Sequence, residues 1–370
     1  MPPLSPPIPR PRPAPHFRLL LLLPLLAGCP PEPTGPRPRE PRPSLAQAIE
    51  YVAQNDCDHA EPMLQRLLTE HQADPAELHH YLGVCGQIRG DLPGAADHYR
   101  EALRRNPALF ESRNNLGVVL GELGRHAESI EVLTGLTEAF PQEPSAWYNL
   151  GYEQAQGGDH EAALASFRRA AELDDCNPDP LLQAAEVLAA LGRHDERVET
   201  LRSALERAPH DDVVRVSLAR ALAAAGHRDP ARELLCQVAA DGTDARALVA
   251  AALDLRGFDA LEAALAAARN GVERAADDEG FRTAVLAFGV VARGANRRDE
   301  AYDVLRSGIA RLPLDPAIAL FLGAMLAEDR RCDEAAPLLK RALDAYARRD
   351  PPPPQAAEAR EALASCTAAP

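Results

Sequence analysis

Three histidines, His126, His160 and His194, recur at a spacing of 34 residues. Imidazoles in register could line up metal ions. A metal, however, needs its ligands about 2 Å from one point, and neighbouring turns of a stacked chain lie about 10 Å apart. Asp56-Cys57-Asp58-His59 gathers ligand-type residues in one short stretch, but it reads as a turn between two helices. The chain has no phosphate loop of the G-x-x-x-x-G-K type, no H-E-x-x-H, no C-x-x-C and no G-x-S-x-G. No catalytic residue, metal or cofactor is therefore expected.

The elements that carry these residues are helical. Aromatic residues make up 4% of the 370 positions, and alternating Val/Ile/Thr-rich runs are missing. Ala-rich stretches favour helices, in which small side chains let backbones pack closely. The net charge is −15, which argues against nucleic acid as a partner, because phosphate neutralisation needs an excess of cations.

A motif repeats along most of the chain. The block from Pro144 reads Trp147-x-x-Leu150-Gly151, then Gly158, then Ala163-x-x-x-Phe167-x-x-Ala170. At 34-residue steps, Leu-Gly recurs as Leu82-Gly83 and Leu116-Gly117, softens to Ala184-Ala185 and Leu218-Ala219, and returns as Phe288-Gly289 and Leu322-Gly323. Ala95, Ser129, Ala163, Arg197, Ala231, Ala301 and Ala335 keep the same phase. Both series step by 70 between the fifth and sixth full repeats, so one diverged unit with a two-residue insertion lies there.

This pattern resembles the tetratricopeptide repeat. The resemblance implies an all-α solenoid of helical hairpins wound as a right-handed superhelix. About nine units are expected, at 44–75, 76–109, 110–143, 144–177, 178–211, 212–245, 246–281, 282–315 and 316–349. A capping helix follows at 355–366. Gly90, Gly124, Gly158, Gly192 and Gly226 are expected to end the first helix of their units in the left-handed conformation. Tyr99, Leu133, Phe167, Leu201, Leu235, Leu305 and Leu339 are expected to fill the seams between units, since one unit cannot bury its face alone. Arg197 stands where a small residue belongs, which predicts loose packing there.

Residues 1–28 read as a signal peptide: Arg10, Arg12, His16 and Arg18, then the apolar run 19–26, then small residues. That run is too short to span a bilayer, which needs roughly 20 residues. Leu26-Ala27-Gly28-Cys29 resembles the lipobox of bacterial lipoproteins. The resemblance implies cleavage before Cys29, acylation of that residue, and a membrane anchor. Pro30 after the cysteine, by the same resemblance, points to the outer membrane, facing the periplasm. Residues 29–43 form a Pro-rich tether. At about 3.1 Å per residue it could hold the solenoid roughly 40 Å from the membrane.

In the family resembled, the first helix of each unit lines a concave groove. The sixth position carries Tyr81, Asn115, Asn149, Gln183 and Ser217. Consecutive amides at Asn115, Asn149 and Gln183 can both donate to and accept from an extended backbone, with Tyr148 and Tyr152 flanking them. The alternative is that Asn before Leu-Gly belongs to the repeat consensus and satisfies local partners. Two cysteine pairs, Cys57 with Cys85 and Cys332 with Cys366, each join an interhelical turn to the next first helix, one pair at each end of the solenoid. They are candidate disulfides if their Cα atoms lie about 4.4–6.8 Å apart. The alternative is six unrelated small core cysteines.

The chain is expected to be a non-catalytic scaffold in the bacterial envelope, binding an extended or helical segment of a protein partner. Pilus or secretin assembly is one setting, and accessory activation of a cell-wall enzyme is the alternative.

Overall fold

The structure is a computed structural model and describes residues 44–349 and 351–367. Cys29, the signal peptide and the tether lie outside the described residues.

Helices follow one another without a strand among the described residues. They come as hairpins. The first four are α1 (Leu45–Ala53) with α2 (Cys57–Thr69), α3 (Pro75–Arg89) with α4 (Leu92–Arg105), α5 (Phe110–Glu122) with α6 (His126–Ala139), and α7 (Pro144–Gln156) with α8 (His160–Leu173). Then come α9 (Asp179–Ala190) with α10 (His194–Arg207), α11 (Asp212–Ala224) with α12 (Arg228–Asp241), and α13 (Ala245–Leu255) with α14 (Leu261–Arg274). The last are α15 (Asp278–Gly294) with α16 (Arg298–Arg311), and α17 (Pro316–Glu328) with α18 (Cys332–Ala347), before the single α19 (Gln355–Thr367). α19 packs on both α17 and α18.

Close approach explains the Leu-Gly signature. A Cβ placed on Gly117 would lie 2.5 Å from Cγ of Leu133, and one on Gly323 would lie 2.8 Å from Cγ of Leu339. The seam residue of the second helix therefore sits directly against the glycine of the first. The interhelical glycines serve a different purpose. Gly158 has φ +87° and open space around its Cα, so only conformation demands glycine there. In later units Asp259, Asn296 and Arg330 take the left-handed position instead.

Second helices begin in two recurrent ways, and α12 and α14, preceded by His227 and Ala260, follow neither. Asp56, Asp91 and Asp159 cap α2, α4 and α8 by accepting from the backbone N–H three residues on. Arg125, Arg193, Arg297 and Arg331 stand at the same place before α6, α10, α16 and α18 and give no such bond. Each instead pairs with the glutamate three residues later: Glu128, Glu196, Glu300 and Glu334. A further arginine from the preceding second helix reaches that glutamate. These are Arg100, Arg168, Arg269 and Arg306, at 2.8–3.7 Å. The resulting Arg–Glu–Arg groups tie neighbouring second helices together along the outer face.

Two expectations need correction. The unit expected to begin at 282 starts earlier, because α15 opens at Asp278, where Asp277 Oδ1 accepts from Gly280 N at 2.6 Å. The extra turn takes up the insertion. Arg197 is not loosely packed: its side chain is only 12% exposed and reaches Glu186 at 3.2 Å.

The apolar core differs between the two ends. From Val216 to Ala359 most buried residues share one large cluster, with small groups such as Leu218, Leu222 and Ala231, or Val249, Ala284 and Ala287, beside it. Before that, separate clusters each bridge one hairpin to the next. Buried polar side chains interrupt them, among them Ser112, Ser129, Thr137, Glu153 and Ser166.

Candidate binding groove

The backbones of successive first helices approach closely, α3 with α5, α5 with α7 and α7 with α9, whereas most successive second helices meet chiefly through side chains, α12 with α14 being the exception. The stack therefore bends towards the first helices, which line its inner face. The sixth-position residues Tyr81, Asn115, Asn149, Gln183 and Ser217 are all half-buried on it.

The amides are not equivalent. Asn149 Nδ2 donates to Asn114 Oδ1 of the preceding unit at 2.8 Å. Asn115 Nδ2 donates to Tyr99 Oη at 3.3 Å, and Tyr99 in turn donates to Gln87 Oε1. The side chains of Gln183 and Ser217 make no hydrogen bond among the described residues. A row of three free amides is thus replaced by two oriented ones and one free one. Each oriented amide has one N–H committed and keeps its carbonyl oxygen and second N–H for a ligand.

Tyrosines flank the amides. Tyr148 packs edge-on against Phe167 with centroids 5.8 Å apart. Burial, with Asp179 and Tyr152 nearby, pushes its phenol up to about 12. Burial raises Tyr81 as well, helped by Glu77 and Glu111, and it raises Tyr152, helped by Glu153 and Glu122. The three phenols stay neutral hydrogen-bond donors at any ordinary pH. His80 Nδ1 lies 3.0 Å from Ser112 Oγ, and burial lowers its affinity for a proton although Glu111 opposes this. Sequence reading missed Glu77 and Glu111. Their shared place in successive units was the available signal.

The remaining candidates have structural neighbours. His126 meets Glu153, His160 has a buried Nδ1 without a partner, and His194 is exposed, so the 34-residue series converges on no point. The stretch expected as a turn is the start of α2: Asp56 caps the helix and holds His59 at 2.8 Å, Cys57 is buried in the core, and Asp58 pairs with Arg89 at 2.7 Å. Cys332 and Cys366 are joined by a disulfide, with Cα atoms 5.3 Å apart. The other pair differs from expectation: Cys57 and Cys85 are free, buried thiols. Burial and a hydrogen bond to Cys57 push the Cys85 thiol far up. Cys176 and Cys236 are also free.

Comparison with known proteins places the repeat. A tetratricopeptide-repeat family model matches residues 45–109, 114–179 and 286–350, more than half of the chain, and a second model of the same description matches 178–211. The chain belongs to the tetratricopeptide-repeat family. Such proteins are interaction scaffolds that hold protein or peptide partners, and the hairpin stack described above is that scaffold. Tetratricopeptide repeat protein 7A of Homo sapiens is 32% identical over 96 residues, 26% of this chain and 11% of that protein. Its human relative 7B is 28% identical over 146 residues, 38% of this chain and 17% of that protein. The chain thus spans under a fifth of either human protein. A solved tetratricopeptide repeat protein from Parabacteroides merdae is 18% identical, covering 66% of this chain and 96% of that one, with a TM-score of 0.48.

Proposed function

We propose that this chain is a non-catalytic adaptor of a bacterial envelope, lipid-anchored through Cys29 on the periplasmic side of the outer membrane. It holds an extended or helical segment of a partner protein against its first helices, in the service of envelope, pilus or secretin assembly. The observation that carries the binding part is the oriented amide pair, Asn115 and Asn149, with open carbonyl oxygens between Tyr81 on one side and Tyr148 and Tyr152 on the other. A bound backbone would gain roughly 0.5–1.5 kcal/mol for each hydrogen bond formed there. The Cys332–Cys366 disulfide suits an exported protein, since disulfides persist in oxidising compartments. No described helix is long and apolar enough to cross a membrane, and attachment in this reading rests on the acyl chains.

A photo-cross-linking residue at Gln183, in the groove, tests the reading against one at Glu199, on the outer helix α10. Partner adducts are expected from position 183 and not from 199, in intact envelopes. Equal adducts from both positions, or adducts from 199 alone, would overturn the groove as the binding surface. An accessory that activates a cell-wall enzyme would use the same surface, and the identity of the cross-linked protein separates the two settings.

A further inference from the structure

Acids in the groove are unlike acids elsewhere on the molecule. On the outer face Glu128, Glu196, Glu300 and Glu334 are each matched by two arginines. On α3 and α5, by contrast, Glu77, Glu111 and Glu122 make no ion pair or hydrogen bond among the described residues. No cation on their own helices is available to them. The first helices α3, α5, α7 and α9 carry two arginines, Arg89 and Arg113. Arg89 is held by Asp58 and Glu61, and Arg113 by the carbonyls of Gly135 and Pro107.

The three carboxylates also have a fixed relation to the aromatic rings. Glu77 and Glu111 occupy the same place in successive units, one helical turn before Tyr81 on α3 and Asn115 on α5, so each shares the face of its sixth-position residue. Glu122 acts on Tyr152, one unit along. Carboxylates alone would be ordinary solvated surface. Carboxylates set among half-buried phenol rings on the first helices present the two contacts a guanidinium or ammonium takes together, an anion at its edge and a ring beneath it. An anionic segment would meet uncompensated charge on both α3 and α5.

Resting on the groove reading above, we infer that the occupant is cationic: an arginine- or lysine-bearing stretch of another protein. Its charges meet Glu77, Glu111 and Glu122, and its side-chain stems lie across Tyr81, Tyr148 and Tyr152. The amides of Asn115 and Asn149 then fix its backbone while the acids select its side chains.

The test uses the full chain in detergent micelles and three labelled peptides of about twelve residues. They share one extended Ala/Leu sequence and differ only in carrying Arg, Gln or Glu at alternate positions. Fluorescence anisotropy should show the Arg peptide binding about tenfold or more tighter than the Gln peptide, with no binding of the Glu peptide, and the preference should fall as salt is raised. The triple variant Glu77→Gln, Glu111→Gln, Glu122→Gln should lose about tenfold in affinity for the Arg peptide, while circular dichroism and melting stay at wild-type values. A control, Glu199→Gln with Glu233→Gln on the outer helices, should bind as wild type. Wild-type affinity in the triple variant overturns the inference, and so does an equal loss in the control. If all three peptides bind alike and Tyr148→Ala abolishes binding, the groove stands and its cationic selectivity does not.

Discussion

The carboxylate of Glu153 lies 2.9 Å from Nδ1 of His126, joining the fourth unit to the third from a residue that is only 5% exposed. Burial raises this carboxyl above its ordinary 4.5, with His126 pulling it down and Glu122 adding to the rise. An acid raised on folding holds its proton more tightly in the native state. Its contribution to stability is therefore present at low pH and is lost as pH climbs through the window above 4.5. The melting difference between wild type and Glu153→Gln should shift in favour of the variant between about pH 4.5 and about pH 7. A difference independent of pH would contradict this. At Gly121 a Cβ would run into the same carboxylate, so Gly121→Ala should cost about 1–3 kcal/mol in chemical denaturation.

Asp212 ties the start of α11 to the turn that leads into α13. It pairs with Arg215 and accepts from the amides of Thr243 and Asp244 at 2.6 and 2.9 Å, and Arg215 also reaches Asp241 at 2.7 Å. Burial alone would raise Asp212. The two amides and the guanidinium overcome it and hold the carboxyl below its ordinary 3.8. This contribution is present above pH 3.8 and is lost as pH falls through the lower folded value. Asp212→Ala leaves Arg215 buried beside one exposed partner and two amides unmet, and should cost about 3–5 kcal/mol at neutral pH. A loss under about 1 kcal/mol, the range of an exposed pair, would show the cluster to be solvated.

Cys366→Ser should lower stability by roughly 3–4 kcal/mol, the chain-entropy value for a loop of about this length. The bond closes a separation of 34 residues. Reductant should lower the wild type by the same amount and leave the variant unchanged. Alkylation of the native protein followed by peptide mapping should leave Cys57 and Cys85 unmodified until the chain is unfolded, because both are buried. Cys176 is exposed but should react slowly, since its hydrogen bond to Asp175 raises the thiol.

Cys29→Ser, expressed in a host that processes lipoproteins, should move the protein from the membrane to the soluble fraction. Unchanged partition would remove the lipid anchor from the proposed function.

The repeat was legible because its determinants are local and periodic. Gly117 against Leu133, or Gly323 against Leu339, needs only a small residue and a large one at a fixed separation. Asn115 was read less well. Tyr99 stands where other units place Leu or Phe, and a buried phenol needs a hydrogen-bond partner. That substitution could have announced the tie to Asn115. The early start of α15 breaks the 34-residue phase, and its signal is the capping run Asp277-Asp278-Glu279. The Arg–Glu–Arg groups were invisible for another reason. Arg100 meets Glu128 and Arg306 meets Glu334 only once the second helices are stacked, and no single helix shows the pairing.

The contrast between one large cluster that takes in most buried residues after Val216 and the small clusters before it has a mechanical consequence. Under tension applied at the two ends, the part before Val216 yields first, one hairpin at a time. Each detached hairpin lengthens the chain by on the order of 100 Å. The later part resists as a single block, held at its far end by the Cys332–Cys366 bond. The groove lies in the part that stretches, so a load along the chain pulls its unit-spaced contacts out of register and loosens whatever they hold.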